Sequence, residues 1–576
     1  MGLLEKAQER KQILESNTKP QEDIVIQKTS QTIIKKEKKN LQPTEKKGLY
    51  EKTQIKKHQP SKEQLIKKDE KKKDTSKHKI EIIEKEKGFG WKGLGEKRII
   101  FDKTINEYRY EVIEPKLNQD EIETVKELTH LFKMVADTDV FDMEKQEKEK
   151  FLEETINQII LDNDIFLDEE SLDTIYYHIF RNFIGYGRMD IIMQDDGIED
   201  ISCDGSETPI FIYHRKYDSI ETNIYFEDDK ELNSFIVRLC QISGKQISIY
   251  SPIVDGKLPD GSRLQATLAK TVTKESTFTI RRFKENPLTP IDLINYHSLS
   301  AEMAAYFWLA IEHNASILFC GGTASGKTSA LNALSLFIPA AHKIISIEDT
   351  REVNLPHKNW IAGTTRKGFS ASDDTKTGKD IDMFDLIRAA LRQRPRVIIV
   401  GEVRGKEAYS LFQAMATGHT SYATVHASTI HTLIQRLENP PISLPRALLT
   451  SLDVIVFQNA VDIKGQTVRR MTSVTEIIKL DSDTNQLIFM APFTWVAPTD
   501  DRWDSSRSSK ILNRIKQEKG WSDQHLDKEI ENRMLVLEWM QKNNLRSYME
   551  VGKTIAEYSK NPQGILERII KEKKKT

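Results

Sequence analysis

Residues 315–338, "ASILFCGGTASGKTSALNALSLFI", decide the fold of this 576-residue chain. A short apolar run, a glycine-rich turn and a segment with helical apolar spacing predict strand, loop and helix in that order. Within the turn, Gly321, Gly322, Thr323, Ala324 and Ser325 lead into Gly326, Lys327, Thr328 and Ser329. That spacing fits G-x-x-x-x-G-K-[ST], in which the glycines let backbone N–H groups wrap phosphate oxygens. In such a loop Lys327 reaches the outer phosphates and the Thr328 hydroxyl ligates Mg²⁺. All nine residues, Gly321 to Ser329, are therefore candidates for holding a nucleotide.

Three later segments extend the reading. "IISIEDTRE" (344–352) ends an apolar strand in Glu348 and Asp349, and "RVIIVGEVRG" (396–405) ends another in Glu402. "ATGHTSYATVHAST" (416–429) carries His419 and His426 around a third strand. Apolar strands alternating with helical segments predict a parallel sheet with crossover helices, and ligands of such sheets lie beyond the carboxyl ends of the strands. The loop, both glutamates and His426 should therefore converge. ATP hydrolysis needs this chemistry: one carboxylate to orient the attacking water, another to hold the hydration shell of the metal.

Elsewhere the chain is uneven. Basic and acidic residues balance overall (86 against 87), but residues 1–80 hold 22 Lys plus Arg against 12 Asp plus Glu with one aromatic, Tyr50. Such a segment cannot bury a core, which predicts a disordered Lys-rich arm over 1–90. It reads as a solvated tether, or as a basic arm for an anionic membrane surface or an acidic partner. Helical periodicity is read from about 95 to 185, with Ile122, Val125, Leu128, Phe132 and Val135 near one face. Short β runs then follow to Phe283, giving a mixed α/β N-terminal domain over 95–283. A proline-containing linker spans 284–297, an α/β nucleotide domain 298–500 and a helical C-terminal appendage 501–576. The three scattered cysteines, Cys203, Cys240 and Cys320, make neither a metal cluster nor a disulfide framework. With no leader-like start and no apolar run of about 18 residues, the expectation is a cytoplasmic protein that meets a membrane only peripherally.

"GGTASGKT", "SIEDTRE", "IIVGEVRG" and "TGHTSYATVHA" stand in the order of the Walker A, Asp, Walker B and His boxes of the type II/type IV secretion ATPase superfamily, which the chain resembles over about residues 150–480. Gly401 takes the place of the usual Walker B aspartate, as it does in that superfamily. "IGYGRMDIIMQDDGIEDISCDG" (184–205), "PIFIYHRKYDSIETNI" (209–224) and "LPDGSRLQATL" (258–268) resemble the N-terminal domain of the archaeal branch, which drives archaella and type IV pili. The resemblance implies a RecA-like domain and an N-terminal domain closing over Mg-ATP in a ring, normally a hexamer, that moves a polytopic membrane platform protein. It further implies Glu348 as the water-activating carboxylate, Glu402 as the metal-shell carboxylate through water, and roles for His426 and His419 at the nucleotide. Arginines of the N-terminal domain approach the phosphates in this family, which makes Arg263, Arg281 and Arg282 candidates. Arg281 and Arg282 are adjacent in a strand, so at most one faces the site. Two other readings stand beside the motor. One is a nucleic-acid translocase on the same core, disfavoured because the nucleotide domain shows no basic stripe interleaved with aromatics. The other is a nucleotide-binding assembly scaffold.

Overall fold

The computed structural model describes residues 80–135, 145–283, 286–366, 380–496, 499–506 and 508–573. All of them fall within one contact unit, 77–576. Most of the Lys-rich arm, residues 1–79, and Lys284 and Glu285 of the expected linker lie outside the described residues.

Two sheets organise the described chain. The first comprises β1 (Ile80–Phe89), β2 (Gly95–Asp102), β3 (Glu107–Ile113), β4 (Ile198–Cys203), β5 (Phe211–His214), β6 (Asp218–Thr222), β7 (Ile253–Lys257), β8 (Arg263–Thr267) and β9 (Thr277–Arg281). Their order is β1-β2-β3-β6-β5-β4-β9-β8-β7, antiparallel except for the β3–β6 pair. Two sequence expectations change here. Residues 80–89, assigned to the arm, form an edge strand paired with β2. Residues 95–113, read as helical, form β2 and β3 instead. In β3 the reason is a period-2 pattern: Tyr110 and Val112 are buried while Arg109, Glu111 and Ile113 flanking them stay half-buried. The hairpin turns at Asn106, in the left-handed region at φ 59°. Helices Gln119–Val135, Lys145–Asp162 and Glu169–Phe183 then bury Leu128, Phe132, Ile156, Ile175 and Ile179 in a separate cluster. Trp91 packs against that cluster, its ring 4.2 Å from Phe180.

The second sheet comprises β10 (Ile317–Gly321), β11 (Ile344–Glu348), β12 (Trp360–Thr364), β13 (Val397–Val400), β14 (Thr420–His426), β15 (Val454–Ile463), β16 (Gln466–Leu480), β17 (Leu487–Trp495) and β18 (Trp503–Ser505). Their order is β12-β11-β13-β14-β10-β15-β16-β17-β18. Pairs from β12 across to β15 are parallel, and those from β15 to β18 are antiparallel. The central strands are continuous apolar runs, as strands buried on both faces require. One face is covered by helices Met383–Leu391, Glu407–Ala416 and Ile430–Glu438 through Ile387, Leu411, Phe412, Leu433 and Leu437. The other face is covered by helix Ala301–Glu312 and by the C-terminal helices.

Those C-terminal helices dock closely. Ile511, Val536, Leu537, Met540, Val551, Ile555, Tyr558 and Ile569 share one core with Trp308, which stacks on Phe337 at 5.2 Å. Two charged groups inside this packing are paired. The Arg533 guanidinium, 4 % exposed, donates to Glu312 (2.6 Å) and Glu529 (2.7 Å) and lies over the Trp308 and Tyr558 rings. Glu476, fully buried on β16, accepts from the Tyr306 hydroxyl (2.7 Å), the Ser509 hydroxyl (2.6 Å) and the Lys510 N–H (2.6 Å). A carboxylate at the start of helix Lys510–Lys519 thus ties that helix to the sheet while meeting its orphan N–H groups.

Candidate active site

The phosphate-type loop links β10 to helix Lys327–Ser335, the predicted strand, turn and helix. Gly321 is required by close approach: an added Cβ would sit 2.0 Å from the Gln458 carbonyl oxygen, which is backbone and cannot give way. Gly326 is required by conformation, with φ 88° at the helix N-cap. Ser325 is buried and donates to the Gly322 carbonyl at 2.9 Å; Lys327 Nζ donates to the same oxygen at 2.5 Å. Burial pulls the lysine below its ordinary pKa, against the opposing pull of Glu402. Thr323 is exposed at the tip, while Thr328 and Ser329 are half-buried on the first turn of the helix. The helix N-terminus adds its partial positive charge beneath the loop.

Strand register brings the other groups to the same edge. Gly321 is level with His426, and Val400 is level with Ile347. The loop, Glu348, Glu402 and His426 thus all follow the carboxyl ends of neighbouring parallel strands. Glu348 is 2 % exposed. Its Oε1 accepts from the Glu352 N–H (2.9 Å) and the Val353 N–H (3.0 Å), while its Oε2 is buried with no hydrogen-bond partner among the described residues. Burial pushes this carboxyl up to about 7, although the two N–H groups favour its ionised form. Gly401 makes room for it: a Cβ at that position would stand 3.0 Å from Glu348 Cγ.

Glu402 has a different environment. Burial alone would raise its pKa, but Arg404, His426 and Lys327 outweigh that and hold the carboxyl below its usual range. Arg404 pairs with Glu402 and lies 4.0 Å from Asp349. His426 Nε2 is 3.2 Å from Glu402 Oε1 without the alignment of a hydrogen bond. Burial and the neighbouring Lys327 lower the His426 pKa, so the imidazole is favoured as its neutral form. Two carboxylates with opposite shifts thus share one edge, the pattern that separates a proton acceptor from a permanently charged group.

Not every candidate arrives there. Arg281, at the end of β9, extends toward this edge, 4.0 Å from Glu352, and its charge is felt at Lys327. Arg263 pairs in register with Arg281, so the two share a sheet face. Arg282 does not reach the loop. Its guanidinium turns inward to the carbonyls of Asp195 (2.6 Å) and Ile192 (3.3 Å), as alternation along a strand dictates. His419 is not brought there either. It precedes the opposite end of β14, seven residues from His426, a span of roughly 23 Å at strand rise. Sequence reasoning missed Arg469 and Gln458, on β16 and β15. Arg469 donates to the Ala324 carbonyl at 3.0 Å, and the Gln458 side chain is buried beside Gly326. Both lie more than 130 residues from the loop in sequence, and no motif announces them.

Residues 192–574 match the family model described as "Type II/IV secretion system protein". The chain belongs to that family. Among relatives of this type II/IV secretion family member, the uncharacterized protein MJ0900 of Methanocaldococcus jannaschii is 37 % identical over 409 residues, 70 % of this chain and 73 % of that protein. The type IV secretion system protein PtlH of Bordetella pertussis is 37 % identical over 164 residues, 26 % of this chain and 46 % of PtlH. The VirB11 ATPase from the Brucella suis type IV secretion system is a solved structure similar to this chain. It has 23 % identity and a TM-score of 0.25, over 49 % of this chain and 93 % of VirB11. Among the described residues no helix is long and apolar enough to cross a membrane.

Proposed function

We propose that this member of the type II/IV secretion family is a Mg²⁺-dependent ATPase that works as the motor of an archaeal-type pilus, archaellum or secretion machine. The observation that carries the reading is the convergence of the phosphate loop, Glu348, Glu402 and His426 on one edge of a parallel sheet. The residues present fit the nucleotide. Glu348 Oε2 and Glu402 Oε1 are buried acceptors without hydrogen-bond donors among the described residues, and the buried Lys327 ammonium is attracted by Glu402. Residues Gly321–Ser329 would hold the phosphates; Thr328, and Glu402 through water, would hold Mg²⁺, whose chemistry is to neutralise charge developing on the phosphoryl group.

Glu348 is the better general base, because its raised pKa matches neutral pH and its free oxygen is the one able to accept a proton. Glu402, held ionised by three positive or polarised neighbours, suits the metal shell. Arg281 supplies positive charge from the first sheet, and we assign it the closure role expected of the N-terminal arginines. The archaeal relative MJ0900 supports the archaeal assignment. A ring of copies, a membrane platform partner and a peripheral position at the cytoplasmic face complete the proposal.

The test is phosphate release by the purified chain with Mg²⁺, with chelator, and in Lys327→Ala. The expectation is turnover that chelator removes and that Lys327→Ala abolishes, with weakened ATP binding. Near-normal release by the variant overturns the assignment.

A further inference from the structure

We infer that Arg469 is a positioning residue that orients the phosphate loop and makes the loop's affinity for nucleotide depend on the first sheet. The inference rests on the ATPase reading above. Arg469 lies on β16, paired with Ala460 of β15, which in turn borders the loop-bearing region of β10. Its neighbour Arg470 points the other way, buried in a two-bond pair with Asp501 (2.8 Å each), so it is Arg469 that faces the loop.

Three contacts define the role. Arg469 Nε donates to the Ala324 carbonyl at 3.0 Å. Its Cδ stands 3.2 Å from where a Cβ on Gly326 would be, so the side chain lies along the outside of the turn. Its Nη2 is 3.4 Å from Glu199 Oε2 on β4. A trans peptide is planar with its C=O and N–H opposed, so fixing the Ala324 carbonyl outward fixes the Ser325 N–H inward, toward the side a phosphate would occupy. Ala324 itself is left-handed at φ 55°, a conformation an alanine holds only when its surroundings enforce it. The bond from Arg469 is a charge-assisted one placed at that strained peptide.

Glu199 connects this to the other sheet. It also lies 3.5 Å from Arg215, and its carbonyl accepts from the Arg282 N–H, so its position follows the β4–β9 pair. The same pair ends in Arg281, which faces Glu352. The main-chain N–H of Arg282 thus holds Glu199 and the strand end that aims Arg281. A shift of the first sheet changes both what Arg469 leans on and where Arg281 stands, so loop order and phosphate-directed charge respond to one motion.

The experiment measures ATP affinity, KM and kcat for wild type, Arg469→Ala, Arg469→Lys, Glu199→Gln and the Arg469→Ala/Glu199→Gln double variant, with the nucleotide-free melting midpoint of each. Arg469→Ala should weaken ATP binding and raise KM about tenfold, with kcat changed less than KM, because a ground-state binding contact is lost. Glu199→Gln, which keeps shape, should weaken binding about two- to fivefold alone and add nothing in the double variant. Arg469→Lys should lie between, since an ammonium lacks the fork that serves two acceptors. Unchanged KM in Arg469→Ala, additive effects in the double variant, or losses of affinity that merely track a lowered melting midpoint each overturn the inference. Failure of wild type to bind ATP would instead overturn the ATPase reading itself.

Discussion

Glu348 carries the clearest residue-scale consequence. Its carboxyl is pushed up to about 7 from an ordinary 4.5 by burial. A carboxyl raised on folding contributes stability while neutral, fully below about 4.5, and that contribution is lost as pH rises through about 7. In nucleotide-free protein, Glu348→Gln should therefore be little different from wild type at pH 5 and more stable at pH 8, by at most on the order of 3 kcal/mol. Chemical denaturation at the two pH values checks this. The same variant should bind ATP and release phosphate at least a hundredfold more slowly, and the fall of wild-type kcat/KM below about pH 7 should be absent from its residual rate. The position of this residue was legible from "IISIED" because an acid at the end of an apolar strand is placed by topology alone. The shift was not, since it depends on burial that only the folded chain creates. His419 was misplaced for the complementary reason: it shares a motif with His426, but a seven-residue strand separates the two ends of the sheet.

At the scale of elements, the glycine after β13 is where packing and chemistry meet. Gly401→Ala would bring a Cβ to 3.0 Å from Glu348 Cγ, and Glu348 is fixed by two backbone N–H groups and cannot swing aside freely. The expected cost is about 1–3 kcal/mol of stability, with kcat reduced at least tenfold and ATP binding retained. Thermal melting and phosphate release on the same preparation test both halves. Strand β10 and its loop were readable because an apolar run, a glycine motif and a helical period agree with one another. Strands β2 and β3 were not, because charged residues interrupt both, Glu96 and Lys97 being buried in β2, and the segment that follows is helical. Arg469 was unreadable for a third reason: it reaches the loop through pairing across β15, which no local pattern encodes.

For the whole molecule, the question is which chain supplies Arg281. Here it stands 4.0 Å from Glu352 of its own chain. If that arrangement operates in a ring, Arg281→Ala should lower kcat at least tenfold while ATP affinity falls only modestly, given that an arginine directed at a transferring phosphoryl contributes about 10³–10⁵ elsewhere. Mixing Arg281→Ala subunits with Lys327→Ala subunits should then fail to restore phosphate release. Recovery of turnover in the mixture would show that the arginine serves a neighbour and would overturn the within-chain assignment.

The C-terminal helices set the order in which this site comes into being during synthesis. Trp308, beside the phosphate-loop strand in sequence, shares its core with residues as far on as Ile569. About 260 residues therefore have to be translated after Trp308 before that face of the sheet is covered, roughly 13–50 s at about 5–20 residues per second. Over the last part of that interval, from His426 to Ile569, the nascent chain already contains the whole nucleotide motif yet exposes the apolar side of its sheet. A chain stopped at residue 505, with every box of the motif intact, should accordingly be recovered aggregated or bound to chaperone, and should show no ATP-dependent thermal shift. A soluble, nucleotide-responsive product of that length would mean that the loop matures independently of the end of the chain.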